Sequence, residues 1–203
     1  MDLPLADLTI FHRSSTFMLG LDTSHFLRDI LQTIEKNNLP GGVKVFANEV
    51  SVPIYQSFID PTNLFRFVDK TKYSDIMSLR NSCLVFDNCF SDNSWMQDRM
   101  LRTIIQYPRS HSITSLFGFQ QVPRFSPTIR HSVNIICIGA DIDAQKLYDY
   151  FFQSYCSFDT LSALLDRYTN GNENENGFLI MRCDTIDTFE ESLSYYCAKK
   201  IEI

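Results

Sequence analysis

The sequence predicts an α/β fold, a three-layer sandwich with a mainly parallel central sheet and helices on both faces. Three observations predict it. Short, near-continuous apolar runs bounded by polar turns recur along the chain, the pattern of strands buried on both faces. Segments with apolar residues at helical spacing alternate with those runs, as in sheets built from strand–helix–strand units. The length of 203 residues suits one domain, 1–203, with a sizeable core, and is short for two.

The predicted strands follow in order. Residues 16–19 are apolar and end at Gly20. Residues 43–46 follow the turn Pro40-Gly41-Gly42, and residues 83–86 end at Asp87. Residues 113–119 are mixed but β-compatible, and residues 133–138 end at Gly139. Residues 178–181 follow the polar, Asn-rich stretch 170–177, which reads as an exposed loop. The first predicted helix, 23–36, carries Phe26, Leu27, Ile30, Leu31 and Ile34 on one face, with Thr23 or Ser24 able to cap it. A second, 95–106, presents Trp95, Met96, Met100, Ile104 and Ile105. Two more cover 143–153 and 159–168, with Asp143 and Asp159 as N-caps. In such sheets ligands bind at the carboxyl ends of the strands.

Composition narrows the function. Hydrophobic residues at 44% and charged residues at 21% are globular proportions. The 17 Phe point to an aromatic-filled core rather than a stacking platform for bases. A net charge of −6 argues against a general nucleic-acid coat, because neutralising phosphates needs a basic face. Arg99, Arg102, Arg109, Arg124 and Arg130 nevertheless make the middle more basic than the ends. The six Cys include no CxxC pair and match no zinc knuckle, so free thiols in a reducing compartment are expected. No stretch resembles a signal peptide or is long enough to span a membrane, and the chain reads as intracellular. His12, His25, His111 and His131 are scattered without ligand spacing, and a Cys89–His111 nucleophile–base pair has no orienting motif to support it.

The strongest local feature is Cys83-Leu84-Val85-Phe86-Asp87-Asn88. An apolar strand ending in an acid is the pattern in which Asp holds magnesium beside nucleotide phosphates. The same pattern also suits an Asp that merely caps the next helix. From Asp87 to Arg130 the chain resembles the packaging ATPases of large DNA viruses, a branch of the FtsK/HerA P-loop superfamily. The resemblance rests on Phe86-Asp87-Asn88-Cys89, Asp92-Asn93-Ser94-Trp95, Asp98, Arg109, Gln120 and Ser126-Pro127-Thr128-Ile129-Arg130. Glu49, Tyr55, Phe58 and Pro61 resemble the family segment after the second strand, with Val52 where the family has Asn.

The resemblance implies a P-loop NTPase-like fold, ATP and Mg²⁺ as cofactors, and specific roles. Asp87 would coordinate magnesium. Asn88 would stand where many ATPases place a water-activating glutamate. Gln120 would sense the γ-phosphate and the attacking water. Arg130 or Arg109 would be a finger acting across a subunit boundary, each equally suited to a salt bridge. The family's partners would be duplex DNA and capsid or portal components, in a homo-oligomeric ring, with no membrane. Its place would be the host cytoplasm, at the viral factory, or the virion.

One departure is large. A P-loop needs G-x-x-x-x-G-K-[ST] between the first strand and helix, so that backbone N–H groups wrap the phosphates and Lys neutralises them. Here that place reads Gly20-Leu21-Asp22-Thr23-Ser24. If Gly20 is the first glycine, the loop is about three residues too short. If Ser24 is the magnesium-side hydroxyl, Thr23 replaces the Lys and Asp22 the second glycine. Gly20, Thr23 and Ser24 are the candidate phosphate contacts, and Ser24 with Asp87 the candidate metal ligands. Either register is a degenerate Walker A and should weaken ATP binding. Two functions follow: a viral DNA-packaging ATPase that moves duplex DNA into a capsid, or a catalytically inactive homologue serving as a structural or regulatory subunit.

Overall fold

A computed structural model describes residues 2–36, 42–66, 80–90, 98–169, 175–184 and 188–199. The strands are β1 (Ser15–Leu19), β2 (Val43–Ala47), β3 (Leu64–Arg66), β4 (Cys83–Asp87), β5 (Thr114–Phe119), β6 (Ile135–Ile138), β7 (Glu175–Arg182) and β8 (Leu193–Lys199). The helices are α1 (Thr23–Lys36), α2 (Val52–Gln56), α3 (Arg99–Gln106), α4 (Pro108–His111), α5 (Pro127–Ser132), α6 (Ala144–Leu147) and α7 (Phe158–Tyr168). Among the described residues the strands form one sheet in the order β3-β2-β4-β5-β1-β6-β7-β8. The ladders from β3 to β6 are parallel, and β7 and β8 close the far edge antiparallel.

Alternation of side chains along the parallel strands divides the core in two. Met18, Val45, Val85, Leu116 and Cys137 face α1 and α2. Phe17, Phe46, Phe86, Phe117 and Ile136 face α3, α5 and α7. On that second face aromatic rings run across the sheet: Phe46 to Phe86 and Phe86 to Phe117 at 5.0 Å, Phe17 to Phe117 at 5.6 Å, and Phe17 to Phe125 at 4.6 Å. These Phe therefore fill the core, and their edge-to-face and offset contacts add to the burial. All six Cys are free, with Cys83 and Cys137 buried. No described helix is long and apolar enough to cross a membrane.

Several expectations change. Thr23 and Ser24 do not cap α1: both lie inside its first turn, and the Ser24 hydroxyl points to Asp87 instead. Asp143 does cap α6, accepting from the Lys146 N–H. That helix then widens into a π turn, Tyr148–Phe152, instead of running on to 153 as one α-helix. The wider turn lets the neighbouring Phe151 and Phe152 both reach the core. The cap of α7 is Ser157, and Asp159 falls in the first turn, where the helix dipole favours an acid. The stretch read as a loop to Gly177 becomes strand at Glu175, paired with Lys199. The second predicted helix begins at Arg99 with Asp98 as its cap among the described residues. The motif 92–95, the turn residues Pro40 and Gly41, and 170–174 lie outside them.

Candidate functional site

The site forms where β1, β4, β5 and β6 end. Helix α1 leaves β1 on one face of the sheet, whereas α5 leaves β5 on the other. That divergence opens a crevice at the carboxyl ends of the strands. Left-handed backbone clusters there: Gly20 at φ 116°, Asp22 at 57°, Asn88 at 51° and Asp141 at 56°. Such conformations persist where the surrounding structure holds them, often at functional sites.

Asp87 is fully buried at the end of β4. Its Oδ2 accepts from Ser24 Oγ at 2.6 Å and from Tyr55 Oη at 2.9 Å, and its Oδ1 accepts from Asn88 Nδ2 at 3.1 Å. The Ser51 hydroxyl lies 3.3 Å from that of Ser24. Burial pushes the Asp87 carboxyl above its ordinary value, opposed by the hydroxyls of Ser24, Tyr55 and Ser51 and by His25. Burial, with the Asp87 charge behind it, also raises the Tyr55 phenol. His25 is shifted downwards by burial, and its Nδ1 is buried without a partner.

The remaining candidates separate into two groups. Gly20 donates its N–H to Phe119 O at 2.9 Å, one residue before Gln120. Asn88 N donates to Gly118 O at 3.1 Å. Gly20, Thr23, Ser24, Asp87, Asn88 and Gln120 thus converge on one end of the sheet. Arg109 does not join them: it lies in α4 before β5, at the opposite end, ion-paired with Asp184. Arg130 lies in α5, donating to Tyr150 O at 3.2 Å with its guanidinium over the Tyr150 ring. Cys89 follows β4 at the carboxyl end of the sheet and His111 precedes the parallel β5 at the other end, so about five strand steps, roughly 17 Å, prevent the pair. The Cys89 thiol instead donates to Phe46 O at 3.0 Å, and burial pushes its pKa up.

Magnesium fits this arrangement better than a triphosphate does. Besides Ser24 and Asp87, the Thr23 hydroxyl is buried without a partner. A β-carbon on Gly118 would lie 2.9 Å from Asp87 Oδ1 and 3.2 Å from Thr23 Oγ1, so the glycine keeps that space open. The phosphate side differs. Only Gly20, Leu21 and Asp22 separate β1 from α1. Two of the N–H groups there are already bonded, Gly20 to Phe119 O and Leu21 to Ala140 O at 3.1 Å. No lysine stands in this turn, and Asp22 brings an acid.

Tyr55 and Ser51 as Asp87 partners were not legible as such, since only the fold brings α2 to the end of β4. Tyr55→Phe removes one of two donors to Oδ2 and is expected to cost about 1.5–3 kcal/mol, the usual worth of a hydrogen bond to a charged group. A lower urea midpoint at pH 8 with an unchanged m-value checks it.

No protein-family model and no curated protein matches the sequence. Solved structures match it. The genome packaging NTPase B204 of Sulfolobus turreted icosahedral virus 2, in complex with ATP-γ-S, aligns with a TM-score of 0.61 at 9% identity, covering 94% of this chain and 99% of that one. Its sulfate complex aligns with a TM-score of 0.62 at 10% identity, over 93% and 97%. B204, the DNA-packaging ATPase of Sulfolobus turreted icosahedral virus, gives 0.60 at 10% identity, over 94% and 99%. Over nearly its whole length, the chain therefore has the P-loop NTPase-type α/β fold of a viral genome-packaging NTPase.

Proposed function

We propose that the chain is a nucleotide-binding component of a viral genome-packaging machine, with its metal site at Asp87 and Ser24. The observation that carries this reading is the 2.6 Å hydrogen bond between Ser24 Oγ and Asp87 Oδ2, at the carboxyl ends of β1 and β4 in this fold. A magnesium ion held there would neutralise phosphate oxygens of a bound nucleotide. Thr23 supplies a further hydroxyl on the same side. Asn88 and Gln120 present amides beside the metal site, suited to orienting a water. The ring, duplex DNA and capsid or portal partners belong to the same proposal. So does a finger role for Arg130 or Arg109, which, lying away from Asp87 in their own subunit, could act only toward a neighbour's nucleotide, beside the contacts they make to Tyr150 and Asp184.

The three-residue turn favours a second reading, a P-loop homologue without turnover that acts as a structural or regulatory subunit. An anion nest shortened to Gly20-Leu21-Asp22 loses its cation and gains an acid. Titration of a fluorescent ATP analogue, with and without magnesium, separates the two. Micromolar, magnesium-dependent binding that Asp87→Asn weakens at least about tenfold, or 1.4 kcal/mol, supports the nucleotide-binding reading. No binding at high micromolar analogue leaves the structural subunit.

A further inference from the structure

Beyond the end of β5, a groove of about 510 Å³ opens beside Asn88. Asn48, Asn88, Gln120, Gln121, Arg124 and Lys146 provide its polar wall. Among the described residues no Asp or Glu lines it. In a chain with 24 acidic against 18 basic residues, an acid-free wall carrying two cations is a local reversal of sign. Neither cation is neutralised by an ion pair among the described residues. Lys146 is set by the Asp143 cap of α6 after β6, and Arg124 by the loop that leaves β5. They reach the groove from two different elements.

We infer that this groove is a polyphosphate site in which Lys146 and Arg124 supply the positive charge that the turn between β1 and α1 lacks. Two cations in one cleft focus their field on an anion more strongly than scattered surface charges do. A guanidinium can hold two phosphate oxygens in its planar fork, and an ammonium adds a point charge. The four side-chain amides add N–H donors without adding charge. The groove touches the metal site through Asn88, which bonds Asp87 Oδ1 and lines the groove as well. A phosphate chain lying there would have the Asp87–Ser24 cluster at one end and the two cations at the other. This deepens the nucleotide-binding reading, on which it rests for the ligand's identity and not for the site's existence.

The test uses inorganic tripolyphosphate without metal, followed by calorimetry on the full chain. Wild type should bind, and Lys146→Gln with Arg124→Gln should weaken binding at least about tenfold at an unchanged melting temperature, that is by 1.4 kcal/mol. Asp87→Asn should retain it, so loss of the metal site and loss of the cation site read out separately. Rising salt should weaken the wild-type signal more than that of the double variant. Displacement by ATP assigns the groove to a nucleotide. Displacement by duplex DNA and not by ATP keeps the phosphate site but overturns the nucleotide as its ligand. Absence of wild-type binding at about 1 mM tripolyphosphate, or equal binding by the double variant, overturns the proposal.

Discussion

Asp87→Ala is expected to cost about 2–6 kcal/mol of stability, while Asp87→Asn gains on wild type as pH rises toward the raised Asp87 value. The alanine leaves the Tyr55 hydroxyl, fully buried, and the Asn88 amide without their acceptor. A stranded buried donor costs about 1–3 kcal/mol, and Ser24 can still turn to Ser51, so two losses set the range. Asparagine keeps an acceptor for both hydroxyls and removes the charge. Burial holds the Asp87 carboxyl above its ordinary value of 3.8, so the folded chain binds the proton more tightly than the unfolded chain. The stability tied to that proton is complete below about pH 3.8 and is lost as pH rises through the raised folded value. The exposed Asp7, Asp60 and Glu191 are shifted the opposite way, but they are common to both proteins and cancel in the difference. Thermal melts from pH 4 upwards should therefore show the Asn variant gaining on wild type until the pH passes the raised folded value, with a constant difference beyond it. A difference independent of pH would mean that burial does not raise the Asp87 carboxyl. Magnesium should stabilise wild type and leave the Asn variant unmoved, because a ligand that binds only the folded state adds stability by mass action.

Gly20→Ala is expected to cost about 2–6 kcal/mol, from two independent causes. The residue sits at φ 116°, where an L side chain is strained by about 1–3 kcal/mol. A β-carbon there would also lie 2.7 Å from Ala140 O and 3.0 Å from Gly139 C, both backbone atoms that cannot swing aside. Forcing such a contact adds about 1–3 kcal/mol. The crowding arises because the end of β1 is clamped on both sides, Gly20 N to Phe119 O and Gly139 N to Leu19 O at 2.7 Å. A fall in urea midpoint together with loss of magnesium-dependent stabilisation would show that the clamp also positions Ser24. A stability loss within a few tenths of a kcal/mol would contradict the close approach.

Burial on both sides made β1, β2, β4, β5 and β6 legible, because it demands continuous apolar runs. The edges were harder. β3 is only Leu64–Arg66, and β8 reads Leu-Ser-Tyr-Tyr-Cys-Ala-Lys with half-exposed middle residues, so neither shows a core pattern. The break of 143–153 into α6 and a π turn was hidden for a different reason. Its apolar spacing is compatible with one helix, and only the demand of the core for both Phe151 and Phe152 selects the wider turn. At the site, Asp87 and Ser24 stood out through strand and turn position. Tyr55 is 32 residues from Asp87, and Lys146 comes from a helix after another strand, so no local pattern connects them.

The residue pattern alone determined the alternating strands and helices, the acid at the end of β4, and a first turn without a lysine. Those are properties of periodicity and local chemistry, and they survive any arrangement of the elements. The sheet order decided the rest. β5 lies between β1 and β4, so the first turn of α1 must cross it to reach Asp87. It crosses at Gly118, where a side chain would collide with Asp87, Thr23 and Leu27. That crossing selects Ser24 as the hydroxyl facing the acid, and it leaves Lys146 and Arg124 on the wall of the groove beyond β5. Such choices depend on which strands are neighbours, and in a parallel sheet that is set by long-range packing rather than by any stretch of sequence.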